Sequence, residues 1–340
     1  MSLRFVFGPS GAGKSRYLYE EMIRRAGEDR KKNFLIIVPD QFTMQTQKDL
    51  VQLSDLGGIM NIDVLSFGRL NHRIMEEVGE DDTPVLDDTG KSLVLQNIAA
   101  DLKEELPVLG SFLCRQGYIH EVKSAISEFM QYGIGVEDVD KLIEFAGKRG
   151  ALVQKLKDLK TLYRGFREYI QGNFITTEET LDVLCRSLSK SRLLPGSVVV
   201  FDGFTGFTPI QNNVIRELMR LAEEVIVTVT FGEEEDPYEP DGEQRLFHLS
   251  RKTVADLSRL AKEARVERGQ DAFVLPGDAV AANQWTEKLG ENCDIIFRKR
   301  HRYESSPALR HLERSLFRYS MRPYTQEQQE IRIFETATPR

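Results

Sequence analysis

The stretch FVFGPSGAGKSR at residues 5–16 constrains this chain more than any other part of it. Gly8, four intervening residues, then Gly13, Lys14 and Ser15 reproduce the spacing G-x-x-x-x-G-K-[ST], a backbone that wraps phosphate oxygens. Such a loop works only between a buried strand and the N-terminus of a helix. Both flanks fit, since residues 3–7 are apolar and residues 15–25 are rich in Tyr, Leu, Glu and Arg. Gly8, Gly11 and Gly13 allow the backbone to bend until its N–H groups face an anion, and the helix dipole adds to that field. The expected nucleotide seat is Gly8, Pro9, Ser10, Gly11, Ala12, Gly13, Lys14 and Ser15. Lys14 would reach the β- and γ-phosphates of ATP, and Ser15 would ligate Mg²⁺.

The rest of the N-terminal part continues in the same style. FLIIVPD (34–40) reads as a second strand, followed by a helix that Thr43 can cap. A third strand over 60–65 leads to a helix over 67–78, and the alternation predicts an α/β fold with a parallel sheet flanked by helices. Long amphipathic patterns then take over, and LPGSVVVFDGFTGFTPIQ restores apolar strands over 198–202 and 225–231. The expected organisation is a discontinuous core over 1–88 and 192–330, an all-helical insertion over 89–191, and the start of a following domain over 331–340. The last strand signal, 331–336, has no partner after it, as if the chain were cut from a longer one. Residues 232–244, GEEEDPYEPDGEQ, read as a solvated acidic loop.

Composition narrows the chemistry. With 340 residues and 41% hydrophobic content the chain can bury a large core, while a net charge of -7 argues against coating nucleic acid along its whole surface. Cys114, Cys185 and Cys293 are dispersed, and His72, His120, His248, His301 and His311 show no metal spacing, so neither a zinc site nor a disulfide framework is expected. No apolar run approaches ~20 residues and no signal-peptide pattern opens the chain, which predicts a soluble, cytoplasmic protein.

Hydrolysis needs more than a phosphate loop. An acidic residue at a neighbouring strand end must hold the metal's water shell, and a second group must position the attacking water. VVVFDGF supplies Asp202 for Mg²⁺, through water, but the next residue is Gly203, so no carboxylate follows it to act as a base.

GPSGAGKS, VPDQFTMQTQ, DVLSFGRL and VVFDGFTGFTPIQ, in this order and around a helical insertion, resemble superfamily 1 helicases of the DNA-repair type, which have P-loop NTPase folds. The DGFTGFTPIQ form is similar to the AddB (RexB) family, whose members are second subunits of ATP-dependent helicase-nucleases. The resemblance implies an AddA-type motor-nuclease partner, DNA ends and single-stranded DNA as ligands, and scanning for the Chi recombination signal. It also implies a nuclease domain with a 4Fe-4S cluster, which three cysteines cannot hold, so both are expected only beyond residue 340.

By the same resemblance, Phe42, Thr43 and Gln45 after the second strand, and Ser66, Phe67 and Arg69 after the third, occupy positions that touch single-stranded DNA. RKRHRY (298–303) is a further basic run suited to phosphates or bases. Two departures accompany Gly203. Only seven residues precede Gly8, leaving no room for an upstream adenine-reading glutamine, and VIVTVTFGEEED stands where the family's motors carry Gly-Asp…Gln. No catalytic residue is therefore assigned. The expected function is a nucleotide-holding, helicase-like part of a DNA-end-processing complex, the alternatives being an active superfamily 1 motor or a small-molecule P-loop kinase. A kinase generally completes its core in about 200 residues, whereas Asp202 lies almost 190 positions from the loop.

Overall fold

The computed structural model describes residues 1–335 except 56, 80–83, 113, 114, 241, 278–288, 290–292, 300 and 319–322. It divides into two compact units: Met1–Ser66 with Leu193–Gly206 and Leu218–Arg340, and Phe67–Arg192 with Phe207–Glu217. The chain begins with β1 (Ser2–Gly8), α1 (Lys14–Glu28), β2 (Phe34–Ile37), α2 (Thr43–Leu53) and β3 (Ile62–Leu65). There follow α3 (Phe67–Val78), β4 (Val85–Leu86), α4 (Asp88–Asp101), α5 (Gln116–Gln131), α6 (Val139–Ala146), α7 (Gly150–Ile170), β5 (Ile175–Thr176) and α8 (Thr180–Ser187). Next come β6 (Val198–Phe201), α9 (Pro209–Leu221), β7 (Glu224–Thr230), α10 (His248–Glu263), β8 (Glu267–Arg268), β9 (Asp271–Pro276) and β10 (Cys293–Arg298). The ninth and tenth strands are followed by a last described helix, α11 (Pro307–Ser315).

The first unit is built on one sheet of order β10-β9-β1-β7-β6-β2-β3, with β8 also paired to β1. Every pairing in it is parallel. Parallel strands covered on both faces read as apolar runs rather than alternations. That is why FLII of β2 and VVVF of β6 are buried at every position. Phe5, Phe7, Phe201 and Phe273 are fully buried, and one face of the sheet packs Val6, Ile36, Val200 and Ile226 with Leu18, Tyr19 and Met22 of α1.

Several expectations change in detail. The second strand stops at Ile37 because Pro39 has no N–H to continue the ladder, and 40–42 tightens into a 3₁₀ turn. Thr43 does not cap α2; it is the first helical residue, and its hydroxyl donates to the Asp40 carbonyl at 3.0 Å. The stretch after residue 264, which carries no clear period, contributes β8, β9 and β10. DAFVLP of β9 is buried at all six positions, and a short uniform apolar run has no period to detect. Residues 331–335 form no strand, and 336–340 lie outside the described residues.

The second unit is mainly helical. Leu95, Ile98, Ile119, Ile126, Leu162, Phe166 and Ile170 from α4, α5 and α7 form its core. The insertion is not purely helical, because Ile175–Thr176 pairs in parallel with Val85–Leu86, a two-residue ladder too short to leave a sequence signal. Among the described residues no helix is long and apolar enough to cross a membrane.

Candidate functional site

Parallel strands bring all their carboxyl ends to one edge of a sheet, and the loops there share a rim. The loop 9–13 follows β1, Asp202 follows β6, and Thr228 and Thr230 close β7, which lies between those two strands. These groups line a cavity of about 760 Å³ with Ser10, Gly11, Gly13, Lys14, Ser15, Tyr19, Gly203, His301 and Arg302.

The loop takes its shape from glycine. Gly8, Gly11 and Gly13 have φ of 148°, 74° and 95°, a region that side chains with a Cβ rarely adopt. A Cβ at Gly8 would stand 2.2 Å from the Val274 carbonyl of β9, so the neighbouring strand also demands its absence. Gly13 ends the loop as the residue before α1. Ala12 is buried, and its N–H donates to the Pro9 carbonyl at 3.2 Å.

Lys14 folds back over the loop, its Nζ donating to the carbonyls of Gly8 and Pro9 at 2.9 and 3.0 Å. Burial lowers its pKa to about 8, against the opposing pull of Asp202 and Glu313 and with Arg302 adding to the lowering. An ammonium in that condition gains from an incoming anion. Ser15, the next residue, donates from Oγ to Asp202 Oδ1 at 3.1 Å. Thr228 donates to the same oxygen at 2.6 Å, and Tyr19 donates to Oδ2 at 2.7 Å. Asp202 is only 5% exposed, and three hydroxyls satisfy its carboxylate. Burial, followed by the Asp202 charge, raises the pKa of the Tyr19 phenol, so it remains a donor. The Ser15 hydroxyl and Asp202 carboxylate form an all-oxygen set suited to a small hard cation that keeps most of its water. The Lys14 ammonium and this oxygen pair on one cavity wall offer the chemistry that a polyphosphate and its divalent cation would need.

Gly203 has φ of 80°, and the nearest atoms to a Cβ built there are the Phe42 ring and Pro39, both at 3.6 Å. The space after Asp202 therefore faces an aromatic ring.

Of the residues expected at DNA, Phe42 is 46% exposed, Gln45 and Arg69 are exposed, and Thr43, Ser66 and Phe67 are buried. The Gln45 amide donates to Asp49 at 2.6 Å. Sequence reasoning missed the parts played by Tyr19, one of two tyrosines in a mixed helical stretch, and by Thr228 and Thr230, whose hydroxyls are inconspicuous within an apolar strand. It flagged 298–303 only as a basic run. Arg298 pairs with Glu20 at 2.8 Å, while the Arg302 N–H donates to the Gly11 carbonyl at 2.9 Å. The Tyr303 ring stands 2.8 Å from where a Cβ at Gly11 would be, so this segment lies directly on the loop.

The family model described as ADDB, N-terminal, matches residues 5–313. Relatives named as a subunit of an ATP-dependent helicase/deoxyribonuclease include one from Lachnoclostridium phytofermentans, 40% identical over 100% of this chain and 28% of its own length. One from Alkaliphilus metalliredigens is 30% identical over 98% of this chain and 27% of its own, and one from Clostridium novyi is 27% identical over 100% and 28%. The chain thus spans about 28% of the length of the curated relatives it matches.

Proposed function

Because this chain belongs to the AddB N-terminal family, we propose that it is the nucleotide-holding, helicase-like part of the second, AddB-type subunit of an ATP-dependent helicase-nuclease acting on DNA ends. One observation carries the reading. Lys14, Ser15 and Asp202, the last 187 residues from Ser15, converge on a single cavity, while the position after Asp202 is a glycine facing Phe42. The parallel sheet with a glycine-rich loop after β1 supports a P-loop NTPase fold. Lys14 meets the β- and γ-phosphates of ATP, the amides of the loop hold the phosphate oxygens, and Arg302 adds a second cation at the rim. Mg²⁺, when bound, neutralises phosphate charge beside Ser15 and Asp202.

The site holds ATP without turning it over, since losing a general base commonly costs ~10² to 10⁴ in rate. The motor belongs to an AddA-type partner subunit, and Phe42, Gln45 and Arg69 offer exposed groups for single-stranded DNA. The test has two arms. Titration calorimetry with ATP and Mg²⁺ is expected to show binding that Lys14→Ala weakens at least tenfold, because a charge-assisted contact is lost. Steady-state ATP turnover by the chain is expected to stay negligible with and without single-stranded DNA. Robust stimulated turnover that disappears in Lys14→Ala would mean the chain is a working motor.

A further inference from the structure

Tyr19 carries an oxygen that packing alone does not require. Its ring lies in the sheet core with Leu18 and Met22, where a phenylalanine would fill the same space. Yet the hydroxyl donates to Asp202 Oδ2 at 2.7 Å. With its hydrogen committed there, the same oxygen accepts from Thr46 Oγ1 of α2, 3.3 Å away and itself 4% exposed. The other carboxylate oxygen takes Ser15 and Thr228. Hydroxyls thus grip both oxygens, and rotation about the Asp202 Cβ–Cγ bond would break the Tyr19 contact along with those on Oδ1.

We propose that Tyr19 is a positioning residue for the divalent cation of the nucleotide seat, clamping Asp202 so that Oδ1 stays beside the Ser15 hydroxyl. The inference rests on the nucleotide reading above. Mg²⁺ demands near-ideal octahedral geometry, so a carboxylate free to swing presents its oxygen in the wrong place for part of the time. Outer partners that orient such groups typically change metal affinity ~10- to 100-fold when removed.

The experiment is titration of ATP into the full-length protein across a Mg²⁺ series and in EDTA, with Tyr19→Phe, Thr228→Val and Thr46→Val alongside wild type. Tyr19→Phe is expected to raise the Mg²⁺ concentration for half-maximal ATP binding about tenfold and to leave ATP affinity in EDTA unchanged. Thr228→Val releases the same carboxylate from its other oxygen and is expected to shift the Mg²⁺ requirement the same way. Thr46→Val, which touches Tyr19 but not Asp202, is expected to follow wild type. An unchanged Mg²⁺ requirement in Tyr19→Phe overturns the proposal. Equal weakening with and without Mg²⁺ overturns it too, since that is the signature of a packing residue. If Tyr19→Phe does not fold, an unshifted Thr228→Val overturns the clamp. Wild-type protein that takes up no ATP at any Mg²⁺ concentration overturns the nucleotide reading itself.

Discussion

Two lysines, one in each unit, stand under opposite conditions, Lys14 half-buried and Lys91 buried. Lys14 in the sheet unit meets backbone carbonyls, and burial lowers its pKa to about 8. Lys91 on α4 of the helical unit is 2% exposed and meets Glu178 at 2.9 Å and Asp88 at 2.9 Å. Burial works to lower its pKa as well, but the carboxylate hydrogen bonds outweigh it and the result is raised. Lys91 is satisfied by carboxylates of its own fold in direct hydrogen bonds, whereas Lys14 bonds only to backbone carbonyls and feels Asp202 and Glu313 through space. A half-buried charge at a cavity wall is a candidate for binding, and a buried charge in a closed pair reads as architecture.

The largest expected effect tests the architectural half of that contrast. Lys91→Met leaves Glu178, 8% exposed, without its main counter-charge, and should destabilise the helical unit by about 3–5 kcal/mol. Chemical denaturation followed by circular dichroism would measure it, and a loss below ~1 kcal/mol would mean that the pair is not a structural one.

Lys14 should behave in the reverse sense. Between its folded value of about 8 and the ordinary 10.5, the unfolded chain holds a proton that the folded chain has released. Stability of the nucleotide-free protein should therefore rise as pH climbs through that window, by about 3 kcal/mol at ~1.4 kcal/mol per pH unit. Denaturant titrations at pH 7 and pH 10 should show this gain in wild type and lose it in Lys14→Met. Equal pH dependence in the two proteins would remove the contrast between the lysines.

The smallest effect concerns the missing base. Gly203→Glu forces a side chain onto φ of 80°, at a cost of about 1–3 kcal/mol, and sets its Cβ beside the Phe42 ring. A modestly lowered melting temperature with no gain in ATP turnover is expected. Recovered turnover would show that one lost carboxylate separates this site from a motor.

Much of the sheet and half of the site were legible beforehand because their signals are local. A loop must bend within a few residues, so its glycines, Lys14 and Ser15 announce themselves by spacing. VVVF followed by Asp202 does the same at a strand end. β9 escaped because a short, uniformly buried run carries no period, β10 because CDIIFR holds only three consecutive apolar residues between charged ones, and the β4–β5 ladder because two residues carry no pattern at all.

What the amino-acid order determined by itself was a short set of groups: a glycine-rich loop ending in Lys14 and Ser15, one acidic strand end at Asp202 and no carboxylate after it. Only the tertiary structure decided which other groups stand beside them. Tyr19, Thr228 and Asp202 lie far apart along the chain and meet because β7 pairs between β1 and β6, while α1 packs across the face. Arg302 reaches Gly11 across 291 positions because β9 and β10 extend the sheet beyond β1 and carry the following segment back over the loop. Spacing along a chain encodes turns of a few residues, whereas strand order sets the neighbours of a strand end, and strand order is a property of the whole sheet.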